Sequence, residues 1–562
     1  MIRGFFMKKL LILMILFPLV CFGQTRPHWL QLEGKPVVDV REFGAKGDGV
    51  TDDTDALQAA IDAGSTVVFP SGTYMVRRRS SSFSSLSVPS DRALLLAPNA
   101  TIKLLPYNST HAYIFDIRSE NVFISGGTID GSREDNSATT GEWGMGLHIY
   151  NAKNVSVENL TTKDNWGDGI YLGASSSGKN ENISIRNVTS TNNRRQGMSV
   201  ISVSGLLVEN SRFMNTNGTD PQAGIDFEPN HADQSLDNIK LVNISTASNT
   251  GPGILWYPPS VFKQASKTVS LTIEGWDSVE DHYGFSAFGA MAPGNHKGIF
   301  SLSNVSVTRS KAGSIRFADW TAAINPQVYI RNVELIDSNT GGIGGVSNGG
   351  SPLSLIVTNE NSTPVGNISV DGFRRVYTGE VTTYNNTYSM FFPRGAVNIS
   401  LRNLFPIGGG GVTSGWSVYN LPHLSINKND ISGLPKFWAS SSDGDLTSSW
   451  PNGLRTLDLV RVYPNVTRTD LSGHLTLKLR EFGSSGNVAT HTTVPMFVYE
   501  AGTFDGSSVF IESPTVAKKI YPYGTDRVSF PRVKGSYVEF QQIMGEWYIK
   551  SSNVTLTGED GY

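Results

Sequence analysis

The sequence predicts an all-β protein whose body is a β-solenoid, and three observations predict it. First, one short pattern recurs, an Asn followed by alternating apolar residues. It appears as Asn121-Val-Phe-Ile-Ser, Asn154-Val-Ser-Val-Glu-Asn, Asn182-Ile-Ser-Ile-Arg-Asn and Asn238-Ile-Lys-Leu-Val-Asn, and returns at Asn304, Asn367 and Asn398. Alternation with period two over four or five residues is a strand with one buried face. Second, a glycine-led strand pattern interleaves with it: Gly146-Leu-His-Ile, Gly169-Ile-Tyr-Leu, Gly197-Met-Ser-Val, Gly224-Ile-Asp-Phe and Gly253-Ile-Leu-Trp, spaced 23, 28, 27 and 29 residues apart. Third, helix-forming periodicity is nearly missing between them. Short strands repeating every ~20–30 residues cannot bury an apolar face singly, so stacking must supply the core. A β-sandwich would need hairpin turns every ~8–12 residues, and the Asn-Gly and Asp-Gly signals for them are few.

Composition narrows the function. The 562 residues carry 46 Lys+Arg against 49 Asp+Glu, a net charge of −3 with 17% charged residues. Near-neutrality argues against a general nucleic-acid binder. With 39% hydrophobic residues a large core is available, which excludes global disorder. A single cysteine excludes a disulfide framework and any multi-cysteine metal site.

Residues 1–23 read as a secretory signal peptide. Arg3, Lys8 and Lys9 precede an apolar run from Leu10 to Val20, and Cys21-Phe22-Gly23 offers a cleavage site before Gln24. The run is too short to span a bilayer, which takes ~20 residues. Cleavage would remove three positive charges and Cys21, leaving a net charge of −6 and no cysteine. The product is expected to be secreted, extracellular or periplasmic, with no membrane span. Residues 24–36 read as a short linker.

Before the first repeat stand Phe43-Gly-Ala-Lys-Gly-Asp-Gly-Val-Thr-Asp-Asp-Thr-Asp-Ala-Leu-Gln-Ala-Ala-Ile61 and Val67-Val-Phe-Pro-Ser-Gly-Thr-Tyr74. Thr51 or Asp52 can N-cap a short helix, with Ala56, Leu57, Ala60 and Ile61 as its apolar face. These residues resemble the opening of the pectate lyase superfamily, which includes polygalacturonase-like hydrolases and phage tailspikes. The resemblance implies a right-handed parallel β-helix with an N-terminal helical cap, extended by the repeats over residues 37–435. It also implies action on a polysaccharide. The Asn-Thr-Asp, Asp-Asp, Gly-His-Gly and Arg-Ile-Lys set of polygalacturonases is missing, as is the Asp-Pro-His signature of alginate epimerases, so the resemblance does not name the substrate. Residues 436–453 are Ser/Gly-rich and read as a linker. Residues 454–562 carry alternating strands and read as a small C-terminal β-rich accessory domain.

The site follows from stacking the glycine-led strands in register. The residue after each glycine points inward: Leu147, Ile170, Met198, Ile225 and Ile254. The next points outward: His148, Tyr171, Ser199 and Asp226, with Glu228 two residues beyond. Coils stack ~4.8 Å apart, which gathers these groups into one patch, with Asp168, Arg194, Arg195 and Gln196 just before their glycines and Trp143, Trp166, Trp256 and Tyr257 at the flanks. Glycoside hydrolysis needs two carboxyl groups, one protonated and one ionised; Asp168, Asp226 and Glu228 are the candidates, with His148 and Tyr171 beside them. Arg194 or Arg195 suits the carboxylate of an acidic sugar, and aromatic faces suit sugar rings. No cofactor is required by this chemistry, although Asp226 and Glu228 are also hard-cation ligands and calcium is an alternative occupant.

Two other functions stay open. A lyase or C5-epimerase on a uronic acid polymer would move the C5 proton with Tyr171 or His148 and neutralise the carboxylate with Arg195. A non-catalytic, tailspike-like carbohydrate binder needs neither. Monomer and trimer are both open. The Asn-x-Ser/Thr triplets are read as turn residues whose amides bond between coils rather than as glycan acceptors.

Overall fold

The computed structural model describes residues 34–258, 267–289, 296–341, 352–358 and 364–376, residues 30 and 378, and isolated strand segments beyond them. The described body is a parallel β-solenoid. A 12-stranded parallel sheet runs in chain order through Ser84–Ser87, His111–Ile117, Trp143–Tyr150, Asp168–Gly173, Gln196–Val200, Ile225–Phe227, Ile254–Trp256, Phe285–Phe288, Ile315–Ala318, Leu353–Ile356, Met390–Phe392 and Ser417–Val418. The intervening strands, among them Lys153–Glu158, Asn180–Arg186, Val203–Glu209 and Leu236–Ala247, form a 20-stranded parallel sheet.

Register follows the alternation. Leu147, Ile170, Met198, Ile225 and Ile254 pair in succession and all are buried. The parallel inward row is Ile149, Leu172, Val200, Phe227 and Trp256. Further along the axis the core turns aromatic, with Trp256, Phe285, Phe300, Phe317 and Trp320 in edge-to-face and tilted contacts. Trp256 is therefore core, not a flanking sugar platform: it is fully buried against Phe227 and Phe300. The alternation itself requires this, because Ile254 faces in, Leu255 out and Trp256 in.

The glycine that opens each strand has a steric cause. A Cβ on Gly146 or Gly169 would overlap the Thr162 or Ser190 hydroxyl on a strand of the following coil, and one on Gly253 would overlap the Thr246 hydroxyl on the strand before it. The asparagines have another. Asn121, Asn154 and Asn182 sit at φ of 61°, 54° and 55°, the left-handed region that Asn tolerates better than most residues. Their amides bond from coil to coil, Asn154 Nδ2 to Asn121 Oδ1 at 2.9 Å and Asn182 Nδ2 to Asn154 Oδ1 at 2.7 Å.

At the N-terminal end the helix Thr54–Ala63 buries Leu57, Ala60 and Ile61 in the solenoid core. Its N-cap is Asp53, one or two residues later than expected. The Asp53 carboxylate instead accepts the Lys46 and Gly47 amides, while Asp52 accepts the Thr54 amide. Residues 1–23, most of 24–36 and all of 436–453 lie outside the described residues. Strand segments between Val460 and Glu559 pair in two separate sheets that include antiparallel ladders, Thr492–Val498 with Tyr537–Ile543 for example. Among the described residues no helix is long and apolar enough to cross a membrane.

Candidate active site

The outward column of the 12-stranded sheet reads Asp116, His148, Tyr171, Ser199, Asp226, Leu255, Ser286 and Arg316, each paired with the next in parallel register. A groove of about 720 Å³ lies over its middle, lined by Glu142, Trp143, Tyr171, Arg195, Glu228 and Tyr257 among others.

Arg195 organises the floor. Its Nε lies 2.8 Å from Glu142 Oε2, its Nη2 bonds Glu228 Oε2 at 3.1 Å, and its Nη1 reaches Asp168 Oδ2 at 3.5 Å and the Ser199 hydroxyl at 3.2 Å. Burial alone would lower its pKa, but Asp168, Asp226, Glu228 and Glu142 together raise it, so the guanidinium is permanently charged. Asp168 is fully buried and burial pushes its carboxyl up to about 6. Asp226 is fully buried as well. Its Oδ2 accepts Gln196 Nε2 at 2.8 Å, and its buried Oδ1 has no hydrogen-bond partner among the described groups. Burial first, then the neighbouring Glu228 charge, raise Asp226 well above its ordinary value, so the site favours its neutral form. Glu228 keeps 31% of its side chain exposed and lines the groove. Gln196 is itself fixed, its Oε1 accepting the Ala223 amide.

The remaining expected residues divide. Tyr171 lines the groove, its ring lying where a side chain on Gly173 would go. Burial pushes its hydroxyl up, away from easy ionisation. Tyr257 is 38% exposed at the groove rim, in edge contact with Phe288. His148 does not open to the groove. It is 3% exposed, its Nδ1 lies 2.7 Å from Asp116 Oδ1, and its ring is stacked against Tyr113, Tyr150 and Tyr171. Burial lowers its pKa despite Asp116. Arg194 is likewise committed, lying 4.2 Å over the Trp166 ring and donating to the Gly141 carbonyl. Trp166 is 9% exposed and serves that loop rather than the groove.

Glu142 and Trp143 complete the groove on the side facing Glu228. Glu142 carries no periodic signal, because it precedes its strand, and only its place beside Trp143 hinted at it. Of the two carboxylates named for calcium, Gln196 takes Asp226 Oδ2 and Arg195 takes Glu228 Oε2. Among the described residues no group of three or more His, Cys, Asp or Glu is arranged to hold a metal ion.

Comparison with known proteins agrees with the fold. Residues 37–86 match the family described as rhamnogalacturonase A/epimerase, pectate lyase-like, and residues 94–255 match the right-handed β-helix region. A 244-residue stretch is 28% identical to the uncharacterised Bacillus subtilis protein YclG, covering 38% of this chain and 41% of that one. The chain thus spans less than half of this relative's length. Among solved structures, the A-module of the Azotobacter vinelandii mannuronan C-5 epimerase AlgE6 superposes with a TM-score of 0.51 at 19% identity, over 69% of this chain and 97% of the other. The Yersinia enterocolitica family 28 exopolygalacturonase gives 0.51 at 14% identity, over 71% and 79%.

Proposed function

We propose that this pectate lyase-like right-handed β-helix protein is a polysaccharide-degrading enzyme, a glycoside hydrolase that cleaves its polymer in the groove over Arg195. One observation carries the reading: a fully buried Asp226 carboxyl beside Glu228, a carboxylate open to the groove. Cleavage needs a proton at the glycosidic oxygen and a carboxylate to activate water or attack carbon. In this reading the proton favoured on buried Asp226 is passed through Glu228, the carboxylate that reaches the groove, to the glycosidic oxygen. Arg195 keeps Glu228 aimed, and Glu142, on the other side of the same guanidinium, is the second carboxylate that lines the groove. Asp168, expected as the third acid, is fully buried, with its Oδ2 3.5 Å from Arg195 Nη1. Tyr257 and Trp143 offer exposed aromatic faces for sugar rings.

The lyase or epimerase reading is supported by the likeness to the epimerase fold and by Tyr171 beside Arg195. It is weakened by the burial that holds the Tyr171 hydroxyl protonated and by the burial of His148. The signal-like residues 1–23 would deliver the protein outside the cytoplasm, which N-terminal sequencing of exported protein, beginning at Gln24, tests. The deciding experiment incubates the purified protein with algal, plant and bacterial polysaccharides. New reducing ends without the ultraviolet absorbance of an unsaturated uronate support hydrolysis. That absorbance would replace the reading with β-elimination. Binding without either product would leave a carbohydrate-binding protein.

A further inference from the structure

The two arginines that the sequence offers for an acidic sugar are both occupied. Arg195 is bound by Glu142, Asp168 and Glu228, and Arg194 by Trp166 and Gly141. A third arginine, on the outward column itself, meets no carboxylate among the described residues. Arg316 stands three coils beyond Asp226, in the succession Asp226, Leu255, Ser286, Arg316, or ~14 Å along the axis at one coil per ~4.8 Å. It is half-buried and forms no ion pair among the described residues. Its Nε and Nη2 donate to the Ser286 hydroxyl at 3.1 and 2.7 Å, and its Nη1 to the Tyr283 hydroxyl at 3.3 Å.

A guanidinium has five N–H donors, so two are left without a partner among the described residues, on the two terminal nitrogens whose fork fits a carboxylate. The group is also held flat, 4.2 Å over the Tyr283 ring and 5.0 Å over Phe288. Burial lowers its pKa, the signature of a charge taken out of water. A half-buried charge with no counter-ion is costly to the fold, and this one is oriented by two hydroxyls and two rings. Phe288 lines the groove as well, which connects Arg316 to the cleavage centre.

We infer that Arg316, set by Ser286, Tyr283 and Phe288, is a carboxylate-binding subsite of the groove, so that the polymer carries a uronic acid residue some distance along the chain from the bond that is cut. The inference rests on the reading of the groove as a polysaccharide cleft.

The test measures binding by calorimetry of galacturonate, mannuronate and guluronate hexasaccharides and of their carboxyl-reduced, neutral counterparts. It is done in the Glu228→Gln background so that ligand is not turned over, with Arg316, Arg316→Gln and Arg316→Lys. The expected result is an acidic ligand bound about tenfold or more tightly than its neutral counterpart. That preference should weaken with salt, shrink in Arg316→Lys and vanish in Arg316→Gln. Circular dichroism and thermal melts confirm that each variant is folded. Equal affinity for acidic and neutral ligands, no binding of any uronate, or a preference that survives Arg316→Gln would overturn the subsite. If neutral polysaccharides are nevertheless cut by the unmodified protein, the hydrolase reading stands without it; if no polysaccharide of either kind is bound or cut, both fall.

Discussion

The two long faces of the solenoid are made by the same repeat, yet their outward columns differ in kind. On the 20-stranded sheet one column reads Ser156, Ser184, Leu207, Lys240, Thr272, Ser301, Tyr329 and Ser369 in parallel register. Its one charged group, Lys240, is 52% exposed and pairs loosely with Glu274 at 3.8 Å. On the 12-stranded sheet the equivalent column carries Asp116, His148, Tyr171, Asp226 and Arg316, most of them buried. Both columns satisfy the backbone ladders equally well. The first therefore shows what the fold needs from an outward position, which is little. The second shows carboxylates held out of water at a cost the ladder does not require.

That comparison is broken most sharply at Glu228 and Asp226. Glu228→Gln and Asp226→Asn are each expected to lower the cleavage rate by roughly 10²–10⁴-fold, the range for removing a positioned acid or base, with the fold intact by circular dichroism. Near-normal rates in both would move the chemistry elsewhere. A substitution on the other column, Ser184→Ala, should leave activity untouched.

Arg195→Ala should be the most damaging change to stability on the functional face. It strands Glu142, Asp168 and Glu228 without their counter-charge, and loss of one partner of a buried ion pair costs about 3–5 kcal/mol, read as a fall in the denaturation midpoint. Trp256→Ala should cost a similar ~3–5 kcal/mol by opening a core cavity. Tyr257→Ala, one residue on but exposed, should leave stability alone and raise KM.

Asp168 distinguishes the faces by pH. Its carboxyl is raised to about 6 against an ordinary 3.8, so its neutral form favours the fold. The stabilising contribution is complete below about pH 4 and is lost as pH rises through 6, about 3 kcal/mol in all. The unfolding free energy of wild type relative to Asp168→Asn should fall across that window, and a flat difference would contradict the assignment. Asp281 is the structural counterpart. It is also raised to about 6, but both oxygens are fully bonded, by Thr246, Ser278 and Asn249. Burial of an acid alone is thus no mark of chemistry; an acid in contact with an open groove is. The smallest effect should come from Asn182→Ala, which removes one exposed ladder bond at positive φ, about 1 kcal/mol by thermal melt.

Much of this was legible in the sequence, for identifiable reasons. Alternation with fixed register placed Leu147 through Ile254 inward and His148 through Asp226 outward, because parallel stacking repeats one decision on every coil. Trp256 was misread as a surface aromatic only because the same alternation was not carried to the end of its strand. Burial depth was not legible. Period two separates the faces but does not show that Asp168, Asp226 and His148 lie under neighbouring side chains. Glu142 sits before its strand, outside any periodic position. Arg316 was hidden because Ser314 stands where the earlier strands have glycine, so the column was not extended to it.

The turns that join the strands vary in length while the ladders stay in step. The intervals of 23 to 29 residues between successive opening glycines leave no trace in the pairing of Ile170, Met198, Ile225 and Ile254. The excess chain is expelled sideways, and there it lines the groove, with Glu142 ahead of one strand and Asp220 and Pro221 ahead of another. Cleft shape and spine are therefore separately inheritable. A segment such as 216–222 can be exchanged, lengthened or shortened to reshape the groove with little disturbance to the coils beneath.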